Sequence, residues 1–274
     1  MSNTEFTRAA NRGIGEVSLR VRARALVPPL ILLVIALLIW EFFEAITGEP
    51  KWIIPPFSEV ITVAVTDFGS RFVPAGWVTL QEMIYGYLLA VVFGTLLAVT
   101  VFHSKFLSQA LFPWILASQA VPSIVLAPIF VIWFGFGMEP KVLITIIIVF
   151  FPVFLNTHAG LGAVERESID LMNSLGASKW QIFWKVRFFG ALPSTFTGLK
   201  IGATISPIGA IVAEFVGASE GMGPLIIVAT SAFKTTLVFA AIIYIALAAI
   251  TLFFLVLILE RVAIPWHHIT RKEG

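Results

Sequence analysis

RESIDLMNSLGASKWQIFWKVRFFGALP, residues 166–193, is the one long polar interruption in an otherwise apolar chain. Ile169, Met172 and Leu175 fall at three-residue spacing, which predicts a short amphipathic helix over 168–175. Gly176 follows, where a helix C-terminus favours a residue free to take positive φ. Ser178 with Gln181 three residues on is a capping-box pattern and predicts a second short helix. That helix carries Trp180, Phe183 and Trp184 on one side, and Pro193 is expected to break the chain before the next apolar run. Two short helices around a glycine form a docking knob. It has two readings, a helix-in-groove contact with a soluble partner or an amphipathic hairpin in the lipid headgroups.

The surrounding composition explains why this island stands out. Of 274 residues, 58% are hydrophobic and 12% charged, with a mean hydropathy of +0.96. A soluble domain is about half apolar and roughly a quarter charged. The chain therefore reads as a single-domain, all-α integral membrane protein. Its net charge of +2 is small and its basic residues lie between apolar runs, so nucleic acid is not implied. With no cysteine, disulfides, thiolate metal sites and cysteine nucleophiles are excluded. His103, His158, His267 and His268 fall in predicted loops or the tail without an HExxH arrangement, and read as polar loop residues. No GxxxxGK[ST] is present, so ATP cannot bind through a P-loop. No catalytic pair and no metal set is legible.

Six spans are expected. Residues 1–25 form a polar, arginine-bearing arm, and the first span, 26–46, is too long for a signal peptide and lacks a small-residue cleavage site. FSEVITVAVTDF, residues 57–68, is expected to lie amphipathically on the surface. The second span covers 78–101 and the third 111–134, with Pro122 and Pro128 as kinks. GFGMEPK, residues 135–141, is expected to be a loop, and the fourth span follows at 142–155. The fifth covers 196–216 around Pro207, and the sixth 238–259. Residues 224–232 are too short to cross and read as re-entrant or interfacial. The organisation is thus an arm (1–25), a transmembrane domain (26–259) with a polar loop at about 157–195, and a tail (260–274).

Fourteen of the 18 Lys and Arg residues fall on the side of the polar loop and both termini, which the positive-inside rule places in the cytoplasm. Six kinked spans do not easily enclose a pathway, so a dimer with the path on its two-fold axis is expected. Glu82 and Glu214, near the outer ends of the second and fifth spans, are functional candidates because a carboxylate at depth normally faces protein or water. With Pro122 and Pro207 they make up the candidate translocation path. No lysine or arginine is expected within a span's apolar core, which disfavours an anionic cargo. Gly86 and Gly94, and Gly202 and Gly209, are read as sites of close helix approach.

The polar loop resembles that of permease subunits of binding-protein-dependent ABC importers: EAA, three residues, Gly, nine residues, I-x-LP. Asp170, Leu171 and Met172 occupy the EAA positions, Gly176 is the glycine, Val186 stands for the isoleucine, and Phe188 and Phe189 stand for LP. SLGASKWQIF, ALP at 191–193, VPSIVLAPIFVIWFGFG at 121–137, FFPVFLNT from Phe150 and IGAIVAEFVGASEGMG at 208–223 are similar to the nitrate/sulfonate/taurine branch. The resemblance implies a type I importer fold with cytoplasmic coupling helices, in the bacterial inner membrane. It assigns ATPase coupling to Asp170, Leu171, Met172, Leu175, Gly176, Ala177, Ser178, Trp180 and Phe183. Its partners would be a second copy, two ATPase subunits that hold ATP and Mg, and a periplasmic or lipid-anchored solute-binding protein. Glu82, and LM in place of AA, resemble importers of pyrimidine precursors or riboflavin more than those of sulfonates, taurine or nitrate. A stand-alone proton- or ion-coupled transporter using Glu214 is the alternative reading.

Overall fold

A computed structural model describes residues 27–266, and no strand occurs among them. The all-α expectation therefore holds. The helices are α1 (Val27–Glu41), α2 (Phe43–Thr47), α3 (Phe57–Thr66), α4 (Val73–His103), α5 (Lys105–Ser118), α6 (Ser123–Phe134), α7 (Glu139–Gly162), α8 (Arg166–Ser174), α9 (Lys179–Ile182), α10 (Phe188–Glu214), α11 (Met222–Ser231) and α12 (Thr235–Ala263). A π-turn at Phe68–Phe72 leads into α4, and another at Phe183–Arg187 joins α9 to α10.

The count of six spans is not reproduced as such. Four helices are long and apolar enough to cross a membrane, or five if α5 and α6 form one broken span. The third expected span is this broken pair, bent by 96°. Its break sits at Pro122, which has no N–H to continue the helix, and residues 119–121 before it close on the carbonyls three residues back. The first expected span is α1 plus α2, nearly continuous through Phe42, whose N–H still reaches the Leu38 carbonyl. Residues 1–26 and 267–274, with the polar arm, His267 and His268, lie outside the described residues.

Pro193 does not break the chain. Residues 179–214 form one 36-residue helical rod, and Pro193 lies inside α10. Where water is scarce, a helix that loses one backbone bond is still better than a loop that exposes several. The second short helix expected after Ser178 is therefore the tip of this rod, and residues 163–178 join it to α7. The tail boundary shifts too, because Glu260 is a buried residue of α12. His103 and His158 are helical, in α4 and α7. The segment after Pro56 does not lie free: α3 buries Val60 and Ala64 in a cluster with Leu237, Ala240 and Ala241 of α12. Tyr244 of α12 donates to the Ala64 carbonyl at 2.9 Å.

The centre of the fold is α7, flanked by α4 and α10. Glycines on both flanking helices allow the approach. A Cβ at Gly94 of α4 would lie 3.1 Å from Val153 of α7. One at Gly198 of α10 would lie 2.6 Å from the Pro152 carbonyl oxygen, and one at Gly202 would lie 2.9 Å from Val149. Gly86 of α4 and Gly209 of α10 meet the same α7 residue, Thr145, from either side. The order of these contacts makes α4 and α7 parallel and α10 antiparallel to both. The starts of α4 and α7 and the end of α10 therefore meet at one end of the bundle, and α8 lies at the other.

Gly209→Val would drive a branched side chain into the Thr145 backbone. Such overpacking typically costs about 1–3 kcal/mol. A thermal-unfolding assay in detergent should show lower stability for Gly209→Val and little change for Gly69→Ala, whose Cβ would meet open space.

Candidate functional site

One helical turn from the Gly86–Thr145–Gly209 contact, the same three helices bring charged groups together. Glu82 precedes Gly86 by four residues and Lys141 precedes Thr145 by four, so each projects from the same face one turn on. Lys141 Nζ lies 2.5 Å from Glu82 Oε1, and both side chains are buried. Glu214, the last residue of α10, is fully buried beside them and neighbours the Glu82 carboxyl. Thr79 of α4 donates to Glu214 Oε1 at 2.6 Å and accepts from the Met222 N–H at 2.9 Å. The Gly223 N–H donates to Glu214 Oε2.

This arrangement corrects an expectation. Lys141 was assigned to a loop and is instead buried inside α7, so the spans do contain a cation. Lys200, within the fifth span, donates to Glu260 of α12 at 2.8 Å. The chemistry of the cluster follows from its counts. Two carboxylates share the site with one ammonium: Lys141 pairs with Glu82, while Glu214 accepts from the Gly223 N–H in the first turn of α11, where the helix dipole favours negative charge. Glu82 Oε2 is left without a hydrogen-bond partner among the described residues. Glu82 and Glu214 thus tie α4, α7, α10 and α11 together, and neither is open to solvent in this conformation.

Of the other candidate path residues, Pro207 is buried in α10, and Pro122 is exposed at the α5–α6 break. They do not join the charged cluster. A cleft of about 560 Å³ opens beside it, lined by Arg71, Pro74, Val78, Glu220, Pro224 and Leu225 among others. Gly221 lies between, lining the cleft with its backbone while abutting the Glu214 carboxyl.

The opposite end is built on two locked turns. Gly176 takes φ +73°, the left-handed value expected of it. Its N–H donates to the Asn173 carbonyl at 3.0 Å, and the Ala177 N–H to the Met172 carbonyl at 3.0 Å, the double closure of a Schellman motif. Ser178 and Gln181 then form the reciprocal capping box. Around these turns Leu171, Leu175 and Trp180 are 61%, 73% and 67% exposed. Asp170 and Ser178 are exposed, and Met172 and Ala177 partly so. Phe183 differs: it is buried with Leu161 and Ala191, its ring 4.4 Å from that of His103. It anchors the tip from below and presents no surface. Arg187, absent from the sequence-derived set, reaches the Leu161 carbonyl at 2.9 Å.

An apolar, multi-helix chain with an exposed, rigid polar knob at one end has the anatomy of a transport subunit. Residues 90–264 match the family model for the binding-protein-dependent transport system inner membrane component. The chain belongs to this family. A formylaminopyrimidine transport permease of Halalkalibacterium halodurans is 35% identical over 243 residues, covering 89% of this chain and 96% of that one. A riboflavin transport system permease of Chloroflexus aurantiacus is 39% identical over 164 residues, 60% and 61% of the two chains. A taurine transport system permease of Escherichia coli is 31% identical over 241 residues, 86% and 88%. The chain is thus the permease subunit of an ABC importer, a multi-pass membrane protein whose family works with ATPase and solute-binding partners. A stand-alone transporter driven through Glu214 is set aside by this membership. The permease relatives are named for transport, and an enzymatic role has no support among them.

Breaking a buried ion pair by removing one partner typically costs about 3–5 kcal/mol, because the other charge stays buried. Lys141→Met should therefore lower the unfolding temperature more than the double variant Glu82→Gln/Lys141→Met. A double-mutant cycle in detergent checks this. Additive losses would show that the pair is not coupled.

Proposed function

We propose that this permease forms the solute path as a homodimer in the bacterial plasma membrane and takes its drive from two ATPase subunits docked on the loop at 163–178 and the tip of the long rod. The observation that carries this reading is the group of Leu171, Leu175 and Trp180, exposed around two rigid turns. An exposed apolar set on a capped, polar loop fits a groove in a soluble partner, in the manner of a helix-in-groove contact. Asp170, Met172, Gly176, Ala177 and Ser178 complete the surface, and Phe183 supports it from beneath. ATP and Mg belong to the ATPase subunits.

The loop and both termini face the cytoplasm in this reading. Setting aside the two lysines that pair with carboxylates within the bundle, Lys141 and Lys200, 13 basic residues remain on the loop side and 3 on the other. A solute-binding protein then delivers cargo at the Glu82 end. ATP-driven closure of the ATPase pair rocks the two permeases between inward- and outward-facing forms.

The preferred cargo is a small heterocycle, such as a pyrimidine or riboflavin, over a sulfonate, taurine or nitrate. The cation-free argument no longer supports this, because Lys141 and Lys200 are present, though each is paired with a carboxylate. What supports it is the higher identity to the permeases named for formylaminopyrimidine and riboflavin, 35% and 39%, than to the one named for taurine, 31%.

The tagged chain, purified from host membranes in mild detergent, should bring an ATPase with it. Gly176→Pro or Trp180→Asp should lose that ATPase while still inserting in the membrane. Wild-type assembly by these variants would remove the loop from the interface. In whole cells, uptake should be competed by formylaminopyrimidine or riboflavin and not by taurine. Competition by taurine alone would reverse the cargo preference.

A further inference from the structure

The rod that begins at the exposed tip has a built-in weak point. Between Lys179 and Glu214 the backbone stays helical, lacking a donor at Pro193 and Pro207, and it departs from α-geometry at the π-turn Phe183–Arg187, where it widens for one turn. Such turns lengthen and loosen the hydrogen-bond ladder and are frequent at functional positions. The turn lies between Trp180, which is exposed, and the glycine-lined part of α10 that packs on α7. A push on Trp180 that travels along the rod crosses this turn before it reaches that part of α10. The α8 arm offers no second route, since no residue of α8 is buried.

The structure braces the turn at its last residue. Arg187 donates from Nη1 to the Leu161 carbonyl at 2.9 Å. Leu161 is next to last in α7, so this carbonyl has no intrahelical partner, and the negative end of the α7 dipole favours the guanidinium. The same guanidinium lies over the Phe102 ring of α4, 5.1 Å from its centroid. Phe183, at the start of the turn, packs on Leu161 and on the His103 ring. Beyond the turn Gly190 abuts Val164, just after α7. Three helices are thus fastened at the base of the loop, where Arg187 hydrogen-bonds to α7 and lies over an aromatic ring of α4.

We propose that Arg187 is a positioning residue for coupled transport. It stiffens the π-turn so that force applied at Trp180 moves α4, α7 and α10 as one body instead of bending the rod tip. The inference rests on the ATPase-docking reading above. Arg187 itself is only partly exposed and sits behind the docking surface, so its loss should leave docking intact and remove transmission.

The test uses the whole complex, isolated through a tag on this chain and reconstituted in nanodiscs. The chain has no cysteine, so single introduced cysteines give unique labels. Spin labels at Thr204, an exposed position of α10, in the two copies report the bundle, and a label at Lys179, the exposed first residue of the rod and outside the docking set, reports the tip. With ATP and vanadate, the wild-type complex should change distance at both positions. Arg187→Met should keep the ATPase bound and ATP hydrolysed, with movement at Lys179 retained and movement at Thr204 lost. Arg187→Lys keeps a cationic donor for the Leu161 carbonyl and should restore the Thr204 movement. Wild-type movement at Thr204 in Arg187→Met would overturn the proposal. So would loss of movement in Arg187→Lys as complete as in Arg187→Met. Loss of the ATPase from Arg187→Met would also overturn it, by assigning Arg187 to docking. A wild-type complex without any ATPase would instead refute the docking reading on which the proposal rests.

Discussion

Everything in this fold depends on how closely α4 and α10 approach Thr145 of α7. Gly86 and Gly209 make room from either side, and a methyl group at either position would collide with Thr145. Transmembrane helices gain little from a hydrophobic drive toward one another, so packing and interhelical hydrogen bonds must hold them. Close approach supplies the packing. It also fixes the separation at which Glu82, Lys141 and Glu214 find one another one turn further on. The charged layer is therefore a consequence of the glycine layer. Were the helices further apart, Lys141 could not reach Glu82, and each would be an isolated buried charge of high cost.

The charged layer has a direction. Glu214 is held by Thr79 from α4 and by the Gly223 N–H in the first turn of α11, while Glu82 is held by Lys141 from α7. Four elements meet on two carboxylates, and the 36-residue rod that ends at Glu214 begins beside the exposed Trp180. One continuous helix thus connects the surface read as the ATPase dock to the buried ion pair at the far end. A small rotation of that helix would alter the contacts of Glu214 with Thr79 and with α11. Paired charges suit such a role because their geometry has discrete alternatives, unlike a greasy interface that deforms continuously.

Much of this was legible in the sequence where one residue type has one strong physical reason to be where it is. Gly176 was readable because positive φ is nearly a glycine property, and Ser178 with Gln181 because a capping box is a spacing as well as a composition. The glycines of α4 and α10 were readable as close-approach sites, though not their shared target. Lys141 was misplaced because GFGMEPK looks like a turn. Its glycines do end α6, but Pro140 lies in the first turn of α7, where a residue lacking an N–H loses nothing. Pro193 misled in the opposite direction, as a break that the membrane setting overrides. Arg187 gave no signal at all, since its role depends on where α7 ends in space and on Phe102, 85 positions away by number.

The two ends of the bundle solve the same electrostatic problem with different groups. At one end, buried carboxylates meet a lysine and the amide end of α11. At the other, the carbonyl end of α7 meets Arg187. In each case a helix terminus that would leave polar groups stranded is closed by a side chain from a different helix, so the cost of burying a helix end becomes an interhelical tie. That choice explains why a chain with only 12% charged residues places several of them in contact with helix termini and with one another. Charge is scarce here, and the fold uses it where apolar packing cannot specify which helix should meet which.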